Sequence, residues 1–561
     1  MAIADQQAAQ VRQLFERGWA LHQKQQLAEA LALYAQVLQL QPAHFDALHL
    51  SGVAAAQGRD LQRAREWMTQ AISAHPQHAV AYVNRAAVLQ DMGLWQAALA
   101  DYDSALARQQ GRPGEADSHN HRGTVLKELR SYPEALQSYD RAIQLEPGRA
   151  NFHNNRGIVL RVAGNYLEAL AAFDRALALQ PAYAQAFNNR GNTLNNLGRL
   201  EEALQSYERA MALEPGCATF HTNCGNILQE LQRPDAAMQS YRQATRLDPA
   251  DAHARWSLSL GLLQLGEFGE GWPAYESRWE RADYRERRSA HCLQPRWDGA
   301  QDIHGKTILL HAEQGLGDTL QFCRYAAAVA QRGGKVLLEV QPPLRSLMQG
   351  LPGVVQVLSP GDPLPPFDLQ CPLLSLPLAF QTRLDRIPAA VPYLRASPAK
   401  IAQWQGALGP RTRPRVGLVW SGSSGHPHDH KRSIALADFL TLLPAEVQPV
   451  SLQKEVREAD RPALQARPDL LHFGEALADF SDTAALCELV DVVVCVDTSV
   501  AHLAGALDRP VWLLLPTNPD WRWLLDRPDS PWYPSARLFR QTEPGQWGNV
   551  LHDVRRALLG L

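Results

Sequence analysis

The sequence predicts an α + α/β chain, with an all-α repeat solenoid first and then a unit of two lobes, each built on a parallel sheet. Three observations carry this. Gly123, Gly157, Gly191 and Gly225 recur every 34 residues. After Trp279 the pattern changes to short apolar runs alternating with helical stretches, which is how parallel sheets with crossover helices read. One of those runs, Val492–Val496, leads through Asp497, Thr498 and Ser499 into a compact helix rich in Ala and Leu. The remaining elements are organised around that last stretch.

The repeat is documented at four positions. Ala135, Ala169, Ala203 and Ala237 keep the spacing, as do Tyr139, Phe173, Tyr207 and Tyr241, and Pro147, Pro181, Pro215 and Pro249. Small residues allow two helices to approach, the aromatic fills the groove between them, and the proline stops the second helix. Upstream, Gly18, Ala30, Tyr34 and Pro42 form one repeat, and Gly52, Ala64, Ala71 and Pro76 another. A third carries Ala98, Tyr102 and Ala105 without the Gly or Pro, and an insertion follows at Gly111–Asp117. This is the tetratricopeptide pattern. It gives about seven repeats over 11–250, with a degenerate eighth, LGLLQLGEFGEGWPAYESRW, and connector over 251–290.

Such a solenoid has a groove lined by first helices, and it binds peptide or protein. Two residues before the repeat glycine stand Asn84, His121, Asn155, Asn189 and Asn223, with Asn120, Asn154, Asn188, Asn192 and Asn226 beside them. Amides donate and accept together, so a solvent-facing column of them suits an extended backbone of any sequence. The column is similar to the asparagine ladder of nucleocytoplasmic O-GlcNAc transferases, which implies an acceptor groove at Asn84, Asn155, Asn189 and Asn223. The other reading is that the amides only solvate the groove.

Composition narrows the function classes. Of 561 residues, 45% are hydrophobic and 20% charged, and 55 basic against 58 acidic residues leave a net charge of −3. No field of that size draws nucleic acid. No apolar run is long enough for a membrane helix and no leader pattern opens the chain, so a cytoplasmic protein without membrane insertion is expected. The seven Cys, at 217, 224, 292, 323, 371, 487 and 495, form no CxxC. Buried thiols are expected rather than disulfides or zinc.

In the second half, strands are expected at Lys306–His311, Lys335–Val340 and Val354–Leu358, with a helix over Asp318–Gln331. A Pro-rich segment and linker close this lobe near Pro410. A second lobe then carries strands Arg415–Trp420, Val447–Leu452, Leu470–Phe473, Val492–Val496 and Pro510–Leu515, a helix over Asp482–Leu489, and a last helix within Trp547–Leu561. Ligands in open parallel sheets bind beyond the carboxyl ends of the strands. That edge of the first lobe carries Gln314, Gly315, Gly317 and Asp318; the glycines permit a close backbone approach. In the second lobe it carries Gln453, Lys454, Asp497, Thr498, Ser499 and His502. His426, His428, Asp429, His430, Lys431 and Arg432 crowd the loop after Trp420, as a metal site or, better, a solvated loop with cations. No metal or resident cofactor is expected.

VDTSVAHLAGALDRPVWLLLPTNPDW (Val496–Trp521) resembles the donor signature of heptosyltransferase-like, family-9-type glycosyltransferases. HAEQGLGD (His311–Asp318) resembles their first-lobe Gly-Asp motif. The resemblance implies the GT-B fold, with an acceptor lobe over 291–410, a nucleotide-sugar lobe over 411–545, and a terminal helix at 546–561 that packs back on the first lobe. It implies Asp318 as general base, a diphosphate on the Asp497–His502 helix start, and a phosphate contact from Lys431 or Arg432. The family's nucleoside contact is replaced here by Gln453 and Lys454. Trp521, Trp523, Trp532 and Tyr533 either stack on substrate or pack between lobes. With GWPAYESRW, this segment resembles bacterial tetratricopeptide-linked glycosyltransferases, a group that includes flagellin-modifying enzymes. The implied activity is transfer of a sugar from a nucleotide sugar to a hydroxyl on a protein acceptor, with inversion. The rivals are a glycan acceptor, an inactive protein-binding scaffold and nucleotide-sugar epimerisation.

Overall fold

In the computed structural model, residues 2–281, 284, 294–388, 390–425 and 429–561 are described, with side chains from residue 5 onward. Cys292, His426, His428 and part of the expected 251–290 connector lie outside them. The chain divides into two compact units, residues 1–223 and 224–561.

The first unit is a run of helical hairpins in the expected register, such as Ala150–Val162 with Tyr166–Leu179, and Ala184–Asn196 with Leu200–Leu213. The glycine and aromatic of each repeat are two halves of one contact. A Cβ on Gly157 would lie 2.7 Å from the Phe173 ring, and one on Gly191 would lie 2.7 Å from Tyr207. Glycine is therefore what lets each buried ring seat against the first helix, and burying such a ring stabilises by roughly 1.5–3 kcal/mol. Where the third repeat lacks the glycine, Ala86 takes its place and Tyr102 is still buried.

The amide column differs from the expectation of free, solvent-facing groups. Asn155 Nδ2 donates to Asn120 Oδ1 at 2.9 Å, and Asn189 Nδ2 donates to Asn154 Oδ1 at 2.9 Å. Asn223 Nδ2 donates to Asn188 Oδ1 at 2.8 Å, and Asn84 Nδ2 meets His49 Nε2 at 2.7 Å. Each bond spans 35 residues, so the amides tie one first helix to the next. Asn120, Asn154, Asn188 and Asn189 are buried; Asn84, Asn155 and Asn223 are half-buried. Buried amides find hydrogen-bond partners, and here the partners are each other.

The second unit contains two parallel sheets. The first has order β3-β2-β1-β4, from β1 (Thr307–His311), β2 (Lys335–Glu339), β3 (Val354–Leu358) and β4 (Leu369–Pro372). The second has order β10-β9-β8-β5-β6-β7, from β5 (Arg415–Val419), β6 (Gln448–Ser451), β7 (Leu471–His472), β8 (Val492–Val496), β9 (Val511–Leu515) and β10 (Ala536–Arg540). β8 lies between β5 and β9, and its five residues are all buried.

Five features depart from the sequence expectation. β4 forms inside the Pro-rich segment, and β10 follows the aromatic loop. The single helix expected over Asp318–Gln331 is two, Leu316–Phe322 and Tyr325–Gln331, broken where buried Arg324 turns Nε onto the Gln321 carbonyl at 2.8 Å. The linker contains a helix, Pro398–Leu408, whose Trp404 donates to Asp482 at 2.9 Å. The terminal helix, Gly548–Leu558, packs on the second lobe and not the first. Its Val550, Leu551, Val554 and Leu558 join the core of Val416, Leu418 and Phe439.

Also in this unit, the last helical hairpin, Ala252–Gln264 with Phe268–Tyr275, shares its core with both lobes. Trp272 meets Trp521 edge-on at 5.3 Å and donates its indole N–H to the Thr382 carbonyl at 3.1 Å.

The amide column predicts a stability effect. Asn189→Ala leaves the buried Asn154 oxygen without its donor, so the repeats should lose roughly 1–3 kcal/mol. Urea unfolding of the variant against the parent measures this, and an unchanged midpoint contradicts a structural role for the ladder.

Candidate active site at the facing edges of the two lobes

β1 ends at His311, and the chain turns through Glu313, Gln314 and Gly315 into the Leu316–Phe322 helix. Asp318 closes that turn, its Oδ2 accepting the Gly315 N–H at 2.8 Å. Its other oxygen is ion-paired with Arg522 of the second lobe. Arg522 is buried and also holds Asp520 at 2.8 Å and Gln321 Oε1 at 2.7 Å, with its guanidinium over the Trp521 ring. Burial pushes the Asp318 carboxyl above its ordinary value, Asp520 adds to this, and Arg522 opposes both. Asp318 is therefore both the carboxylate that closes the turn and the partner of a buried guanidinium, and it lies above its ordinary value.

In the second lobe, β8 delivers Asp497, and Thr498 is the N-cap of the Ser499–Ala506 helix. The Thr498 side chain makes no capping bond, and its buried hydroxyl meets no partner. The two edges touch here: a Cβ on Gly317 would lie 2.7 Å from His502 Cδ2 and 3.6 Å from Ser499 Cα. A side chain at 317 would separate the lobes, which gives this glycine a physical reason.

His502 is buried, stacked on Trp523 at 5.2 Å, with Nδ1 sharing a hydrogen bond with the Tyr533 hydroxyl at 2.9 Å. Burial first, then Arg522, Arg324 and Arg432, hold its pKa well below the usual range, so the ring is neutral. It faces inward, between Trp523 and Gly317, rather than outward to the open edge. Burial, with Asp520 adding, raises Asp497 to about 6 against the pull of Arg432.

The cations of the 429–432 segment separate into two roles. Arg432 Nη1 donates to the Asp497 carbonyl at 2.7 Å, which sets its guanidinium beside the helix start. Lys431 Nζ is paired with Glu230 at 2.7 Å. Asp429 is buried among Arg432, Arg457 and Ser433. Burial alone would push it up, but the Ser433 and Arg457 bonds outweigh that and hold it below the carboxylate range.

Gln453 is committed to the backbone. Its Nε2 donates to the Ser421 and Glu455 carbonyls, both at 3.1 Å, and its Oε1 accepts the Ser421 N–H at 3.4 Å. It stitches β5 to β6 and has no donor left for a nucleoside. Lys454 is exposed, reaching the Ala478 carbonyl at 3.1 Å. Trp521, Trp523, Trp532 and Tyr533 are all buried, so of the two roles open to them they take packing. Among the described residues no three His, Cys, Asp or Glu side chains gather as a metal site would require.

Several residues at the site escaped sequence reasoning. Arg278, with no exposed surface, pairs with Glu313 at 2.9 Å and Glu276 at 2.8 Å. Tyr275 accepts the Gln314 amide at 3.0 Å. Both come from GWPAYESRW, which was legible as a junction but not as a partner of the first-lobe loop. Arg522 and Arg457 were missed because their partners Asp318 and Asp429 lie far off in sequence, and Tyr533 was read with the aromatic loop but not as the partner of His502.

Comparison with known proteins fits this architecture. Residues 15–79, 77–145, 154–216 and 194–260 match tetratricopeptide repeat families. Residues 477–546 match glycosyltransferase family 9 (heptosyltransferase), a span that holds Asp497–His502 and Arg522 and leaves Asp318 outside. Protein FlbA of Caulobacter vibrioides (strain ATCC 19089 / CIP 103742 / CB 15) is 27% identical over 326 residues, 53% of this chain and 53% of FlbA, so the chain spans about half of that relative. Among solved structures, a tetratricopeptide repeat protein from Parabacteroides merdae is 20% identical, with a TM-score of 0.39, over 45% of this chain and 99% of that one. Pseudomonas aeruginosa pilF is 23% identical, with a TM-score of 0.33, over 38% and 95%. Sequence and fold together show a chain of tetratricopeptide repeats joined to a glycosyltransferase family 9 domain of the heptosyltransferase type, its two parallel sheets matching the lobes of GT-B.

Proposed function

We propose that this chain transfers a sugar from a nucleotide sugar to a hydroxyl of a protein acceptor presented by the repeats. One observation carries the reading: a carboxylate raised by burial, Asp318, stands on the first lobe against a second-lobe helix start with an unpartnered hydroxyl, Thr498, and a guanidinium, Arg432. Asp318 takes the proton of the acceptor hydroxyl as its oxygen attacks the anomeric carbon. The bond to the diphosphate breaks on the opposite face, so the configuration inverts. The leaving diphosphate rests on the N–H groups of the Ser499–Ala506 helix, the Thr498 hydroxyl and Arg432. Those groups neutralise it without a metal ion. Arg522 keeps Asp318 from drifting to the neutral acid that burial favours.

The acceptor class rests on the repeats, since solenoids of this kind bind protein. The ladder amides contribute by holding the repeats together, and the acceptor meets the remaining groove surface. A cytoplasmic location goes with this reading; no helix among the described residues is long and apolar enough to cross a membrane.

Asp318→Asn keeps an oxygen for the Gly315 N–H and removes the basicity. Turnover of the cognate nucleotide sugar, found by a thermal-shift screen of UDP-, GDP-, ADP- and CMP-sugars, should fall by about 10²–10⁴-fold. Donor affinity should hold. Turnover equal to that of the parent would rule Asp318 out as the base. Thr498→Val should weaken donor binding by about 1 kcal/mol in calorimetry, and unchanged affinity moves the diphosphate elsewhere.

Asp497 gives the pH dependence. A carboxyl raised to about 6 is ionised above that pH and repels a diphosphate, whose own charge does not change in this range. Donor affinity should therefore rise as pH falls from 8 towards 5.5, with proton uptake on binding. Asp497→Asn should flatten the curve, and a flat curve in the parent removes Asp497 from the phosphate site.

A further inference from the structure

The loop that carries Asp318 is held from outside its own lobe, by the end of the last helical hairpin. Arg278 is fully buried and forks onto Glu313, with Nη2 on Oε1 at 2.9 Å and Nε on Oε2 at 3.3 Å. The same guanidinium holds Glu276 at 2.8 Å and Ser375 Oγ at 2.7 Å. One residue on, the Gln314 side chain donates to the Tyr275 hydroxyl at 3.0 Å, while its carbonyl accepts the Gln341 amide at 2.8 Å. Gly315, next in line, is the residue whose N–H Asp318 accepts. Every residue from Glu313 to Gly315 is thus pinned, two of them by the hairpin.

We infer that Arg278 is a positioning residue for the transfer reaction, acting through Glu313 to fix the Gln314–Asp318 turn, with Tyr275 as the second support. The inference rests on the reading of Asp318 as the base. A bidentate fork sets direction as well as distance. The turn it fixes decides whether the Asp318 oxygen points at the acceptor hydroxyl or away from it. The hairpin is then a working part of the site and not only a tether for the acceptor arm. Glu313 also stands as a second carboxyl near Asp318: burial raises it, Arg278 opposes that, and Asp318 is among the charges that push it up.

The test uses the full-length protein and its cognate nucleotide sugar, with Glu313→Gln, Arg278→Lys and Tyr275→Phe beside the parent. Glu313→Gln keeps the shape and one acceptor for Arg278. It should lower kcat roughly tenfold, leave donor affinity within twofold, and move the acid limb of the kcat–pH profile to lower pH, because a like charge near the base is gone. Arg278→Lys keeps the charge but not the fork, and should lower kcat without moving donor affinity. Tyr275→Phe retains the packed ring and loses only the Gln314 bond, so it reports on the turn even if the buried ion-pair variants fail to fold; kcat should fall severalfold at unchanged donor affinity. A parent-like kcat and acid limb in folded Glu313→Gln, or a parent-like kcat in Tyr275→Phe, overturns the inference. Loss of kcat, donor affinity and thermal stability together also overturns it, as a purely structural role. If Asp318→Asn is inactive while these variants are normal, only the positioning role falls; if Asp318→Asn is itself normal, the base assignment falls.

Discussion

A guanidinium with no exposed surface has to be matched by carboxylates, because an unpaired buried charge costs several kcal/mol. Arg278 meets that constraint with Glu276, two residues before it, and Glu313 of the first-lobe loop. Arg522 repeats the arrangement from the second lobe, with Asp520 two residues before it and Asp318 of the same loop. The loop of residues 313–318 therefore carries a carboxylate at each end, and each is gripped by an arginine from a different part of the unit. Removing one partner of such a pair leaves the other charge buried and unmatched. The last hairpin, the first lobe and the 520–523 segment are bound to one geometry by this requirement, and the aromatic contacts of Trp272, Trp521, Trp532 and Phe322 fill the space between the two clamps.

The elements that were legible in the sequence are those whose cause is local. A 34-residue spacing of glycine and aromatic needs only neighbouring helices to explain it, and Gly191 against Tyr207 is that explanation in atoms. The buried run of β8 and its turn into a helix are likewise local, so Asp497, Thr498 and Ser499 were placed correctly at the strand edge. β4 and β10 were not seen, because prolines flank both and a four- or five-residue buried strand has no periodicity of its own. The break between Leu316–Phe322 and Tyr325–Gln331 was invisible for another reason. Arg324 is held by the carbonyls of Gln321, Pro388 and Trp532 and by the Tyr393 hydroxyl, partners that lie up to 208 residues away.

The same distinction sorts the site residues. Residue type and edge position named Asp318, Thr498 and the pair Lys431 and Arg432 without any partner, and only the structure separates the pair, setting Arg432 on the Asp497 carbonyl. Gln453 and His502 have the right types and positions, yet their polar atoms are committed inward, to Ser421 and Glu455 and to Tyr533. Lys431 turns to Glu230. The asparagine column shows this most plainly: an amide facing a groove and an amide bonded to the next repeat are the same letter in a sequence. Only the 35-residue step of the bonds, one more than the repeat, reveals that each reaches back to its neighbour.

The charges at the cleft also bear on the order of events in the proposed reaction. Asp318 and Asp497 both lie above their ordinary values, and in both burial is the first cause and Asp520 the next that raises them. A diphosphate arriving at the Thr498 helix start brings further negative charge into the same water-poor space. By the rule that like charges favour the neutral form, it lifts both carboxyls. Asp497, already at about 6, answers by taking a proton, which lowers the repulsion the donor meets. At Asp318 the ion pair with Arg522 opposes that rise and favours the charged form. In the proposed reaction a raised carboxylate is the stronger base, and a stronger base takes the acceptor proton with less cost. The buried ion pair that fixes the loop thus also separates the roles of two otherwise similar carboxylates. In the proposed reaction, one yields its charge to admit the donor and the other is favoured in its charged form to activate the acceptor.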